Sequence, residues 1–377
     1  MTDPRDLDRL VDELGIAPAP QGAGAEAGRL EGWLTRLTGL AGSDLLLVAG
    51  SPPAVRIDGR VVPLAGEAPL DGDEIEAAVL PALAAHARRH YHDRSIADTS
   101  IRFAGLGRFR LNLHRERGRA AAAIRALPAR PPRLADLGLP PSVEALTRLP
   151  RGLVLIGGPT GAGKSTTLAA IVEEINRRDA RHIITIEDPI EFEHPHRQSV
   201  VEQVEIGIDA PDFSTALRAA LRQAPDVIVL GEMRDTETMQ IALAAAETGH
   251  LVFSTVHTPD VTSSIARVAD AFPPERQNTV RAELAVGIGA VLTQMLLPRV
   301  GGGRVPAAEM LIASYGARQH IRRNALQHLH QEITISRRHG SFTYEDSLVT
   351  LVRGGLVERE EALARTLHRQ ELEDALR

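Results

Sequence analysis

The 377-residue chain contains no cysteine. That absence excludes disulfides and thiolate-bound zinc, and it fits a reducing compartment. Aromatic residues are scarce at 3%, so Leu, Val, Ile and Ala must fill any core. A basic excess is also missing: the formal charge is −6, whereas a broad nucleic-acid footprint shows as a basic domain. No stretch approaches the roughly 20 apolar residues that span a bilayer. The opening "MTDPRDLDRL" lacks the basic start and apolar core of a signal peptide. A soluble, cytoplasmic protein is expected, one that reaches a membrane only through partners.

What is present suffices for more than one core: 43% of residues are hydrophobic, and the length suits two to three domains. Leu7, Leu10, Val11 and Leu14 make a short helical stripe, and "APAPQGAGAEAG" after it reads as a flexible linker, so residues 1–28 are set apart. Residues 29–127 read as a small α+β domain. It has a helix at 30–41, the strand "SDLLLVAG", and a hairpin "AVRIDGRVVPL" turning on Asp58-Gly59. A helix at 73–91 and strands at 96–103, 108–114 and 119–127 follow. The proline-rich 128–141 is an interdomain linker, and from 142 to 377 strands and helices alternate as in a parallel α/β sheet. Its strands are placed at 153–157, 182–186, 200–205, 227–230 and 251–255, with helices at 163–177, 213–223, 235–247 and 278–297. A charged helical tail occupies 315–377.

The second domain opens on "GPTGAGKST", comprising Gly158, Pro159, Thr160, Gly161, Ala162, Gly163, Lys164, Ser165 and Thr166. A G-x-x-x-x-G-K-[ST] loop between a strand and a helix cradles phosphates with its backbone N–H groups. Lys164 would reach the β/γ-phosphates of ATP, and the Ser165 hydroxyl would ligate Mg²⁺. In such proteins the strand next to this loop usually ends in an Asp on Mg²⁺. Here "DVIVLGEMRD" offers Gly231 and then Glu232. Glu232 is therefore a second Mg²⁺ candidate, directly or through its waters. "ITIEDPIEF" places Glu187 past another apolar strand, where it could orient the attacking water. "GHLVFSTVHT" brings His257 to a third strand end, as a donor that senses a γ-phosphate.

Taken in order, these four motifs resemble the secretion/pilus ATPase superfamily, and most closely the PilT-type retraction ATPases of type IV pili. The likeness runs outward through "RVADAFPPERQ" and back through "SDLLLVAGSPPAVRIDG" and "GRFRLNL", covering the chain from about residue 30. It implies a PAS-like α+β N-terminal domain followed by a RecA-like P-loop ATPase domain. It also implies a homo-hexameric ring that uses Mg·ATP, a catalytic Glu at Glu187 and a Walker B Glu at Glu232. Two N-terminal arginines would contact nucleotide phosphates as the domains close, and they fall at Arg110 in "RFRLN" and Arg125 in "AAAIRAL". The implied work is pilus retraction, and so twitching motility, against an inner-membrane platform protein at the cytoplasmic face, without nucleic acid.

The missing four-cysteine zinc site favours the retraction branch over assembly ATPases. "GARQHIRR" at 316–323 departs from the family's "AIRNLIRE" helix, with Arg323 in place of Glu, and "SDLL" replaces "SDLH". An assembly or secretion ATPase, or an accessory retraction paralogue, therefore stays beside the retraction motor. From other classes, a RecA-like nucleic-acid motor, a small-molecule kinase and a non-hydrolysing regulator remain. The histidines of "HARRHYHDR" read as a solvated basic helix end, and the tail "REEALARTLHRQELEDALR" as a solvated helical face.

Overall fold

The computed structural model describes residues 23–377; the helix expected at 5–15 lies outside them. Two compact units divide between Ala129 and Arg130.

The first unit is one antiparallel six-stranded sheet in the order β3-β2-β1-β6-β5-β4. Its strands are β1 (Asp44–Val48), β2 (Ala54–Ile57), β3 (Arg60–Pro63), β4 (Ile96–Phe103), β5 (Gly107–Glu116) and β6 (Arg119–Ala126). Asp58 and Gly59 turn the β2–β3 hairpin with φ of 48° and 80°, the double positive φ of a type I′ turn. Alternation does the rest: Phe109, Leu111 and Leu113 of β5 are buried in one core with Leu30, Leu34 and Leu37 of the helix Ala23–Gly39. That helix starts within the stretch read as linker. The single helix expected at 73–91 is two, Gly72–Val79 and Ala85–Arg94, with a tight turn at Leu80–Ala82. Pro81 lacks the N–H an unbroken helix would need.

The second unit carries a seven-stranded sheet in the order β13-β12-β7-β11-β10-β8-β9. Its strands are β7 (Gly152–Gly157), β8 (His182–Glu187), β9 (Val200–Glu205), β10 (Val227–Leu230), β11 (Leu251–Val256), β12 (Ile288–Pro298) and β13 (Arg304–Ile312). All neighbours run parallel except β12 and β13. The central strands are apolar throughout because both faces are covered. Leu153, Leu155, Ile228, Leu230 and Val252 enter the core shared with helices Phe213–Ala220, Thr236–Glu247, Val261–Asp270 and Pro274–Gly287. Val154, Ile156, Val227, Val229 and Phe253 enter the other, under the helix Lys164–Arg178. Leu134 and Val143, from the proline-rich stretch and just after it, pack in that second core.

The helix expected over 278–297 ends at Gly287, and Ile288–Pro298 is β12. Its apolar run "IGAVLTQMLL" has no polar stripe for a surface helix, and periodicity alone cannot tell it from a buried strand. The helices Tyr344–Arg353, Arg359–Arg365 and Arg369–Ala375 contribute Leu348, Leu351, Ala362 and Leu372 to a further cluster with Leu297 and Val305 of the β12–β13 hairpin. Among the described residues no helix is long and apolar enough to cross a membrane.

Candidate functional site

Strand register gathers the motif residues. Gly157 of β7 pairs with Val256 of β11, Leu230 of β10 with Ser254 of β11, and Leu230 with Ile186 of β8. Because these strands are parallel, Gly158, His257, Gly231 and Glu187 come to the same end of the sheet. The strands beside the phosphate-loop strand β7 are β12 and β11, and β10 lies beyond β11, contrary to the expectation for the Gly231–Glu232 strand. In a parallel sheet the crossover helix sets which strand is neighbour, and sequence order does not.

The loop's backbone depends on its glycines. Gly158 has φ +146°, and a Cβ there would stand 2.4 Å from the Gln294 carbonyl oxygen. Gly161 and Gly163 take φ of 80° and 87°. Gly163 caps the helix Lys164–Arg178 without a side-chain hydrogen bond, so the first amides of that helix stay open to an anion. Pro159, Thr160, Gly161 and Ser165 are exposed, Thr166 is half-buried, and Ala162 is buried.

Gln294 of β12 clamps the loop from behind. Its Nε2 donates to the Ala162 carbonyl at 2.6 Å, and its Oε1 accepts from Thr167 Oγ1 at 2.8 Å. Placed on a helix in the sequence reading, Gln294 gave no sign of this position. Gln294→Ala leaves both buried partners unpaired, so a stability loss of about 1–3 kcal/mol and weaker ADP binding are expected. Melting curves with and without ADP check this, and a wild-type response would remove the clamp.

Lys164 is 7% exposed. Its ammonium donates to the carbonyls of Gly158 at 2.8 Å and Pro159 at 3.1 Å and lies 3.5 Å from His257 Nδ1. Burial pushes its pKa down, against the pull of Glu232 and Glu191. His257 in turn stands 4.0 Å through Nε2 from Glu232, whose other oxygen is paired with Arg234 at 2.6 Å. Partial burial lowers the His257 pKa, and the nearby charges of Lys164 and Arg234 add to that against Glu232. Asp235, the last acid of "DVIVLGEMRD", caps the helix Thr236–Glu247 by accepting from Thr238 N at 2.7 Å.

Ser165 Oγ donates to Glu191 Oε1 at 3.2 Å. Glu191 lies in "ITIEDPIEF" past Pro189, where no strand end marks it as a site residue. Glu187 ends β8 and accepts from Thr185 Oγ1 at 2.7 Å and Gln203 Nε2 at 3.2 Å. Burial raises its pKa, and those two hydrogen bonds oppose the rise. Ser165, Glu191 and Glu232 offer hydroxyl and carboxylate oxygens, the hard donors that Mg²⁺ takes. The donor set fits that ion.

In the first unit, Arg110 of β5 and Arg125 of β6 are directly opposite one another. They sit in a row that continues to Asp44 and Arg56 on one side and Ser100 on the other. Arg110 binds Asp98 at 2.6 and 3.1 Å, and Arg125 Nε binds Asp44 at 2.8 Å. Like charges opposite one another repel, so each guanidinium is held by its own carboxylate. His86 and His90 of the basic helix meet edge to face at 6.4 Å.

The family model described as type II/IV secretion system protein matches residues 117–364. The type IV pilus retractation ATPase PilT of Pseudomonas aeruginosa is 41% identical over 85% of this chain and 93% of its own length. The type IV pilus ATPase PilU of the same organism is 37% identical, over 86% and 85%. Among solved structures, the pilus retraction motor PilT with bound ADP superposes with a TM-score of 0.84 at 42% identity, covering 90% of this chain and 98% of that one.

Proposed function

The chain belongs to the type II/IV secretion system protein family, and on that premise we propose that it is a motor ATPase whose hydrolysis of ATP drives type IV pilus retraction. The observation that carries this is the convergence of Lys164, His257 and Glu232 around a glycine loop at one sheet end, with Ser165 beside Glu191.

Each group has a physical task. The N–H groups of the Gly158–Thr166 loop take the phosphate oxygens, and Lys164 exchanges the carbonyls of Gly158 and Pro159 for the β/γ-phosphates. Ser165 and Glu232 would hold Mg²⁺, with Glu191 at hand. When bound, the ion neutralises charge along the phosphates. Glu187 orients the attacking water, and a carboxylate made more basic by burial accepts its proton more readily. His257, its proton affinity lowered by its surroundings, donates a hydrogen bond toward the γ-phosphate without adding full charge. For Arg110 and Arg125 the proposal is the arginine-finger role that the resemblance implies, in which guanidinium charge stabilises the transferred phosphoryl group. The working form is a homo-hexamer that acts on an inner-membrane platform protein from the cytoplasmic face.

Deleting the gene in its own host tests the direction of the motor. Surplus surface pili with loss of twitching are expected. A bald cell would make it an assembly motor, and an unchanged cell an accessory paralogue or a part of another machine.

A further inference from the structure

The charged tail holds a constellation that neither the nucleotide site nor a solvated face explains. His330 lies in the helix Leu329–Ile335, Glu345 in the first turn of Tyr344–Arg353, and His368 directly before Arg369–Ala375. One ring nitrogen of each histidine and one Glu345 oxygen lie within 4.8 Å of one another. The two rings are 4.1 Å apart between centroids and tilted by 37°. We propose that His330, Glu345 and His368 form a binding site for a divalent transition-metal ion of the zinc type, separate from the nucleotide site.

Two imidazoles and one carboxylate are a donor set zinc takes with a water as fourth ligand. Magnesium prefers oxygen ligands throughout and is not a competitor here. Glu345 is 2% exposed, and a carboxylate so buried demands compensation. The hydrogen bonds it accepts, from Thr366 Oγ1 at 2.8 Å and the His368 backbone N–H at 3.1 Å, come from neutral donors and fall on Oε1. A divalent ion on the Glu345 carboxylate would add a positive charge where the hydrogen-bond donors are neutral. Glu371 Oε2, 3.1 Å from His330 Nε2, orients that ring as the outer carboxylate of a metal-bound histidine does. Tetrahedral zinc with bonds of 2.0–2.1 Å needs donors roughly 3.3 Å apart, and His368, being exposed, has the freedom to close that gap. The ion would tie three segments together in a chain that has no cysteine to do so.

The test uses the full-length protein, stripped with chelator and dialysed against ZnCl₂ in excess MgCl₂, with bound zinc counted by mass spectrometry. One zinc per chain and a higher melting temperature are expected. His368→Ala, at an exposed position, and His330→Ala should each weaken zinc binding by at least 10-fold. The doubly substituted His86→Ala, His90→Ala protein should retain it. Absence of stoichiometric zinc, retention in both single variants, or loss in the double variant would each overturn the assignment.

Discussion

Glu187→Gln is expected to lower kcat for ATP hydrolysis by about 10²–10⁴-fold and to leave nucleotide affinity unchanged, as befits a group that acts only on the reacting water. The amide keeps the shape and an oxygen to accept from Thr185, so only the charge is removed. Because burial holds the Glu187 acid above its ordinary value, the acid limb of the wild-type rate should lie above the usual glutamate range. It should vanish from the residual activity of the variant. Stability moves the other way. A carboxyl whose folded pKa is raised binds more protons folded than unfolded, so ionising it costs stability as pH rises above its unfolded pKa. The glutamine variant should therefore melt no lower than wild type near pH 7. Steady-state turnover and a melting curve decide both points, and a wild-type rate would remove Glu187 from the chemistry.

Lys164→Ala should reduce turnover by at least about 10²–10³-fold, the scale of losing one preorganised charge from a transition state. ADP affinity should fall by about 10–100-fold, as for one charged hydrogen bond of roughly 1.5–3 kcal/mol. The nucleotide-free protein should be as stable as wild type or more so. The Lys164 ammonium is buried and its pKa lowered despite the nearby Glu232 and Glu191, meaning that the fold pays to keep it charged, and the oxygens it donates to are the neutral carbonyls of Gly158 and Pro159. The signature is an unchanged melting temperature without ligand and the loss of the rise that ADP produces in wild type. If the variant instead melts far lower without ligand, Lys164 is a structural residue.

The phosphate loop was legible because its chemistry is local: glycine conformations, the lysine and the following helix are contiguous in "GPTGAGKST". The strands ending in Glu187, Glu232 and His257 were legible because each is a short apolar run bounded by polar turns. What escaped was long-range. The separation of β7 from β10 by β11 is a matter of strand order, which no single segment encodes. The clamp by Gln294 was hidden because "IGAVLTQMLL" carries no period that separates strand from helix. The pairing of Ser165 with Glu191 joins residues on different elements, and only the folded sheet brings them to 3.2 Å. The spacing of His330, Glu345 and His368 follows no recognisable sequence interval, because two helices and the turn before a third bring the three side chains together.

The position of β11 also sets a length. Neighbouring strands in a sheet are about 4.8 Å apart, so two steps separate the ends of β7 and β10 by roughly 9.5 Å. The phosphate loop follows β7 at one side of that interval, the Gly231–Glu232 turn follows β10 at the other, and His257 follows β11 between them. The spacing of the three strand ends is fixed by backbone hydrogen bonding and not by any side chain. Substitutions among the motif residues can therefore change what is bound there and how fast it reacts, while the gauge stays that of the sheet.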